Sequence, residues 1–421
     1  MGLRVTLVGV RRGARGTRFS LGIALAIALV TLAACPLSAS SKPGTAAKQH
    51  AASRAIFGTQ PLEMPTVDEY QRMAAGGLGH VRIVFDSGAV GPAGKRVWTY
   101  FDKLVGDPAR GGMSVDPVLF GVPRWINQDP ATVPLQSSGQ ESFWSDFVRD
   151  TARRYGPGGQ FWAQHPELTA RPITWWEVWN EPNINEFTGR RSPLQPRAYA
   201  RLLSITRAAL KHASPQNRIV LGGLYRRPKP GHGIRMTRFL QRLYKVRGGR
   251  RLFDAVAIHP YASLPKQILH VTQSARRVMN ANRDRRKPIW ITEVGWTTGG
   301  NYWSQSLYHA TPDQQATRLQ RTALVLLAHR RRLRLQRVDW FSWRDYAGSD
   351  NFWDKFMGLF TADGHPKPAW GALTQVTGGF AGGQIANVGH NGPISPGPGP
   401  PPGGGGKPPP RPPCLLPGLL C

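Results

Sequence analysis

The chain has 421 residues and a mass of 46.4 kDa, and 40% of it is hydrophobic. That excludes wholesale disorder and leaves room for one large domain or two to three ordinary ones. The 55 Lys+Arg against 24 Asp+Glu give a net charge of +31, nearly all of it arginine, which draws the protein toward anionic surfaces and says little about fold. Three cysteines exclude a disulfide-rich scaffold and offer no zinc-ligand spacing.

In chain order the first feature is a leader. Arg11, Arg12, Arg15 and Arg18 precede an apolar run over residues 19–34 with no acidic residue before it, the pattern of an export signal and slightly short for a membrane span. The run closes on Leu32-Ala33-Ala34-Cys35, which resembles the lipobox of bacterial lipoproteins. That reading makes residues 1–35 the signal, Cys35 the lipidated first residue, and its lipid the sole tie to a membrane. Ordinary cleavage near Ala39, with Cys35 discarded, is the alternative. Both place the protein outside the cell or on the outer face of the envelope, away from nucleic acid. Residues 36–53 are Ser/Ala/Lys-rich and read as a flexible linker. Residues 54–380 have globular composition, and 381–421 read as a Gly/Pro-rich disordered tail, with 20 of its last 31 positions Gly or Pro. Cys414 and Cys421 near its end could pair in an oxidising compartment.

Within the globular part, apolar runs of strand length alternate with helix-period segments. The clearest strands are 80–86, 115–122, 173–179, 219–224, 255–259, 288–293 and 338–343, with a weaker first strand over 55–58. Amphipathic helices are expected at 142–155, 197–213, 236–246, 266–280 and 313–332. Eight strand–helix units in this length predict an α/β fold, a single (β/α)8 TIM barrel. A doubly wound sheet is disfavoured because no Gly-rich phosphate turn follows the early strands.

Two glutamates carry the functional reading. Glu181 stands in Trp175-Trp176-Glu177-Val178-Trp179-Asn180-Glu181-Pro182, and Glu293 in Pro288-Ile289-Trp290-Ile291-Thr292-Glu293-Val294-Gly295. They end the fourth and seventh expected strands, and the carboxyl ends of barrel strands form the active-site mouth. A carboxylate pair across such a cleft suits glycoside hydrolysis, and the surrounding tryptophans offer flat faces to sugar rings. Glu177, four residues before Glu181, shares its strand face but should lie about 13 Å deeper; it reads as a buried charge paired with an arginine.

Asn-Glu-Pro at the fourth strand and Ile-Thr-Glu-Val-Gly at the seventh resemble the retaining glycoside hydrolases of clan A, with families 5 and 39 nearest. The resemblance spans residues 57–373. It implies cleavage of O-glycosidic, and by preference β, bonds with Glu181 as acid/base and Glu293 as nucleophile. It also implies that Asn180 binds the sugar 2-hydroxyl and that Arg82 supports the nucleophile. His259 and Tyr261 match the family's His-x-Tyr, whose tyrosine hydrogen-bonds the nucleophile, and Trp343 matches the tryptophan that floors the first sugar subsite. Residues 358–369 resemble the closing loop and helix of these barrels. Many family 39 enzymes add a β-sandwich, for which no room remains here.

The charges should divide the labour. Arg82 and Tyr261 would lower the pKa of Glu293, and an ionised Glu293 would raise that of Glu181. No Gly-x-Ser-x-Gly elbow, His-Glu-x-x-His or nucleotide loop is present, so neither a cofactor nor a metal is expected. The expected partners are an oligosaccharide or polysaccharide substrate and an anionic envelope polymer, with the protein a monomer. The rivals are a non-catalytic sugar-binding barrel and a transglycosylase using the same residues.

Overall fold

The computed structural model describes residues 56–389 except 94, 190–192, 301–305, 347, 349–352 and 387. The leader with Cys35, the linker and residues 390–421, including Cys414 and Cys421, lie outside the described residues. Among the described residues no helix is long and apolar enough to cross a membrane.

The strands are β1 Phe57–Gln60, β2 His80–Asp86, β3 Ser114–Phe120, β4 Trp175–Val178, β5 Arg218–Leu221, β6 Leu224–Tyr225, β7 Val256–His259, β8 Ile289–Val294 and β9 Leu335–Phe341. They form one sheet in the order β5-β4-β3-β2-β1-β9-β8-β7-β6, and all neighbours are parallel. β5 and β6 are two pieces of one barrel strand, parted at Gly222-Gly223. β6 pairs with β7, and a parallel bridge between Val220 and Ala255 joins β5 to the same neighbour. The sheet therefore closes on itself as eight barrel strands, with β8 the seventh, and is not doubly wound.

Helices alternate with the strands: α1 Val67–Ala75, α2 Thr99–Arg110, α3 Ser138–Tyr155, α4 Gln160–Gln164, α5 Pro196–Ala213, α6 Met236–Lys245, α7 Pro265–Ala281, α8 Pro312–Leu333 and α9 Pro368–Thr377. Their starts are written in the sequence. Thr66 with Glu69 and Thr311 with Gln314 close capping boxes, which satisfy backbone N–H groups left over in the first turn. Proline opens α5, α7, α8 and α9, where its fixed φ suits the helix and its missing N–H costs nothing. The inward stripe of α3, Phe143, Trp144, Phe147, Val148, Thr151 and Tyr155, is buried at helical spacing.

Strand alternation sorts the barrel interior into layers. Trp175, Val220, Ala255, Ala257 and Trp290 pack as a separate apolar cluster. On those same inner faces Glu177, His259 and Thr292 stand two residues nearer the mouth than Trp175, Ala257 and Trp290. A polar set fills β2, β3 and β9, where His80 Nε2 lies 3.0 Å from Asp339 and Arg337 pairs with Asp116 at 3.1 Å.

Several boundaries shift by a few residues from expectation, and three of the differences matter most. β4 stops at Val178, because Trp179 and Glu181 take left-handed conformations, φ 71° and 40°. β9 begins at Leu335 and ends at Phe341, two residues before Trp343. Residues 381–386, 388 and 389, assigned from composition to the tail, pack on the barrel instead. The Ala381 carbonyl accepts from Arg72 and Trp370, Ile385 is buried, and the Gly389 N–H donates to Glu69 at 2.9 Å.

Candidate active site

Arg82 on the inner face of β2 is 1% exposed and organises the mouth. Its Nε and Nη2 donate to the two oxygens of Glu177 at 2.8 and 2.9 Å. Nη2 also donates to Asn180 Oδ1 at 2.8 Å, and Nη1 donates to Glu293 Oε1 at 2.8 Å and to Gln60. A planar guanidinium matches such a ring of acceptors as no ammonium would. The pairing of Glu177 with an arginine was expected. β4 ends early at left-handed Trp179, and Glu177 and Asn180 reach the same guanidinium.

Glu293 enters from β8 through an irregularity. The β8–β9 register slips between Ile291 and Val294, so the consecutive residues Thr292 and Glu293 both reach the inner face, as a bulge permits. Tyr261 donates from its hydroxyl to Glu293 Oε2 at 3.0 Å. Across the space, Glu181 Oε1 lies 2.6 Å from His259 Nδ1, while His259 Nε2 lies 3.0 Å from the Thr292 hydroxyl. One oxygen of each glutamate and one ring nitrogen of His259 fall within 4.8 Å of one another. Gly223 makes room for this ring: a Cβ there would sit 1.9 Å from His259 Nε2, so the break between β5 and β6 is part of the site.

Burial dominates the electrostatics. Burial pushes Glu293 up to about 7 although the Arg82 charge and the Tyr261 hydroxyl both pull it down. Arg82 and Tyr261 thus lower it as expected, but desolvation, which the sequence does not show, is the larger effect, so they limit a rise. Glu181 is raised well above the usual carboxylate range, first by burial and then by the charge of Glu293. His259 is held well below the usual imidazole range by burial and by Arg82, so it is neutral, with one ring nitrogen donating and the other accepting. Glu181, His259 and Glu293 carry metal-type donor atoms, but the Arg82 cation 2.8 Å from Glu293 opposes a second positive charge there.

Six of the residues singled out from sequence meet here: Arg82, Asn180, Glu181, His259, Tyr261 and Glu293. Two are not placed against a substrate. His259 is fully buried and both its nitrogens are engaged by protein, so it positions Glu181. Trp343 lies between the barrel and its helices, where its ring packs on Phe360 and Trp370 at 4.6 and 5.3 Å and Nε1 donates to Glu69. Asp339 faces inward, so alternation gives Phe341 the inner face of β9, and Trp343 follows after the strand has ended. Cys35 is outside the described residues. Gln60, Thr292 and the hydroxyl pair Tyr225–Tyr308, 2.7 Å apart, were missed. Thr292 stands within the quoted Ile-Thr-Glu-Val motif, whereas Gln60 and Tyr308 carry no local signal.

Residues 154–370, just over half of the chain, match the model of the glycosyl hydrolase catalytic core family. No curated protein matches the chain. Among solved structures it is similar to a family 39 glycoside hydrolase from Bacteroides cellulosilyticus WH2, at 18% identity and TM-score 0.58 over 77% of this chain and 64% of that one. It is also similar to a β-galactosidase from Marinomonas ef1, at 13% and 0.54 over 77% and 59%. A glucosidase from Croceicoccus marinus matches at 14% and 0.56 over 77% and 66%. The chain thus spans less than two thirds of each of these three, and at such identities the likeness is one of fold. On the family match, carried by a stretch that holds both glutamates, the chain belongs to the glycosyl hydrolase catalytic core family.

Proposed function

We propose that this barrel hydrolyses β-linked O-glycosides of oligo- or polysaccharides by double displacement, with Glu293 as nucleophile and Glu181 as acid/base. The observation that carries the reading is the unequal company of two equally buried carboxylates. Glu293 has a cation and a phenol, which favour its ionised form; Glu181 has a neutral imidazole and the charge of Glu293, which favour its protonated form. One oxygen of each lies within 4.8 Å of the other, a close approach in keeping with retaining enzymes, whose carboxyl groups stand roughly 5–5.5 Å apart.

In the first step a Glu293 oxygen attacks the anomeric carbon while Glu181 gives its proton to the leaving oxygen. The bond to the aglycone breaks and an ester to Glu293 forms. That ester removes the negative charge which kept Glu181 protonated, so the Glu181 carboxylate now takes a proton from water. The hydroxide oxygen attacks the same carbon and releases Glu293. Arg82 fixes Asn180 through Oδ1, and Asn180 Nδ2 is buried without a partner, a donor suited to a substrate hydroxyl. The β preference is supported by the clan resemblance and by a structural neighbour named as a β-galactosidase.

The test is a panel of aryl β-glycosides and polysaccharides with the full chain, Glu293→Ala as control. The expected result is turnover that falls at least about 10⁴-fold in the variant; near-full activity in a folded variant would refute the nucleophile assignment. We read residues 1–35 as an export signal with Cys35 lipidated. Cys35→Ala should move the protein from the membrane to the soluble fraction, and unchanged fractionation would favour ordinary cleavage.

A further inference from the structure

Between Glu186 and Asp254 the sequence holds 17 Lys and Arg and no acidic residue. The fold gathers part of this excess on the β6–α6 loop and on α6, and Lys266 at the start of α7 adds to it. Two adjoining cavities of about 420 and 640 Å³ open there. Arg227, Lys229, Arg235, Arg238 and Arg242 line the first; Arg226, Arg227, Arg235 and Lys266 line the second. Because they share Arg227 and Arg235 they form one groove, and no acidic residue lines it. Among the described residues Arg227, Arg235 and Lys266 have no ion-pair partner, unlike Arg154, Arg201 and Arg337, each paired with a carboxylate.

One lining residue, Arg226, ties the groove to the site. Arg226 donates to the Tyr261 carbonyl at 3.1 Å, and the Tyr261 hydroxyl holds Glu293. Tyr225, the preceding residue, lies on the mouth side with its hydroxyl on Tyr308. Uncompensated cations in a concave site repel one another and concentrate anions. No Phe, Tyr or Trp lines the groove, whereas grooves for single-stranded nucleic acid stack bases on such rings.

We propose that the groove binds acid-bearing units of a polyanionic glycan next to the bond being cut, reading carboxylate or sulfate groups through Arg227, Arg235 and Lys266. This rests on the glycosidase reading of the mouth and adds the class of substrate.

The experiment measures binding of the full chain to four kinds of probe: a polyuronate, the same polymer after carboxyl reduction, a sulfated form of that neutral polymer, and duplex DNA or anionic lipid vesicles. Wild type is compared with Arg227→Gln/Arg235→Gln and with Arg250→Gln/Arg251→Gln, which removes the same charge just before β7, at the barrel's other end. Melting curves check folding. At low salt the polyuronate should bind roughly tenfold tighter than its reduced form, and the groove variant should lose most of that factor. The Arg250/Arg251 variant should lose little, and the preference should shrink as salt rises. Preference for the sulfated polymer over the polyuronate would assign the groove to sulfate esters within the same proposal. Equal binding of acidic and neutral polymer, equal loss in both variants, or tighter binding of DNA or vesicles than of any acidic glycan would overturn it. If the wild type turns over aryl glycosides yet shows no acid preference, the groove assignment alone fails. If it turns over none while the arginine-dependent preference holds, the catalytic reading fails and the binding groove stands.

Discussion

The carboxyl ends of β4 and β8 each bring a glutamate into one buried space, and they do so by opposite distortions. β4 stops at Val178 and folds back through left-handed Trp179 and Glu181, a conformation that costs a non-glycine residue about 1–2 kcal/mol. β8 stays extended through Val294 but slips its register by a bulge. The first distortion swings Glu181 onto His259; the second turns Glu293 onto Arg82 and Tyr261. Both carboxylates are nearly inaccessible, 4% and 1% exposed, so burial alone would raise them alike. The neighbours make the difference, leaving Glu293 at about 7 and Glu181 well above its usual range. On the proposed roles, acid and nucleophile are divided by which of the two glutamates reaches the guanidinium: Glu293 does, whereas from the end of β4 it is Glu177 and Asn180 that do.

Removing Glu293 should have the largest effect on turnover, as described above. Next comes Arg82→Met, which deletes the cation common to Glu177, Glu293, Asn180 and Gln60. Stranding buried carboxylates should cost about 3–5 kcal/mol in urea unfolding, and a loss below about 1 kcal/mol would show that the network does not hold the strand ends together. The smallest change is Tyr261→Phe, which removes one hydrogen bond that favours ionised Glu293. The nucleophile must be ionised, so kcat/KM rises with pH through its apparent pKa and falls when the acid deprotonates. The variant should shift the rising limb to higher pH and leave the falling limb in place. A shift to lower pH would assign that limb to another group.

The barrel is legible in the sequence because strand-length apolar runs alternate with amphipathic segments that start on proline or a capping box, as α8 does at Thr311-Pro312-Asp313-Gln314. The glutamates are legible because each follows such a run. Backbone departures at the strand ends are not. The left-handed φ of Trp179 and the slip at Glu293 satisfy contacts with β2 and β7, which no local pattern encodes. Trp343 misled for a related reason: its apolar run continues past the last ladder bond because the ring packs beneath α1 and α9, so hydrophobicity marks burial without marking the strand end. Gly222-Gly223 falls inside the strand expected over 219–224; its use, space for the His259 ring, emerges only when β7 lies alongside. Residues 381–386, 388 and 389 look like tail by composition, yet Ala381 and Gly389 are tied down by Arg72, Trp370 and Glu69 from distant parts of the chain.

The central claim is that Glu181 is the proton donor to the leaving group and Glu293 the nucleophile. The most direct test is Glu181→Ala assayed on an aryl glycoside whose leaving group needs no protonation, with and without azide. Glu293 should still form the glycosyl ester, azide should fill the space vacated by the carboxylate, and turnover should rise with azide to give a glycosyl azide of retained configuration. A folded Glu181→Ala protein that azide does not rescue, or whose azide product is inverted, would contradict the account.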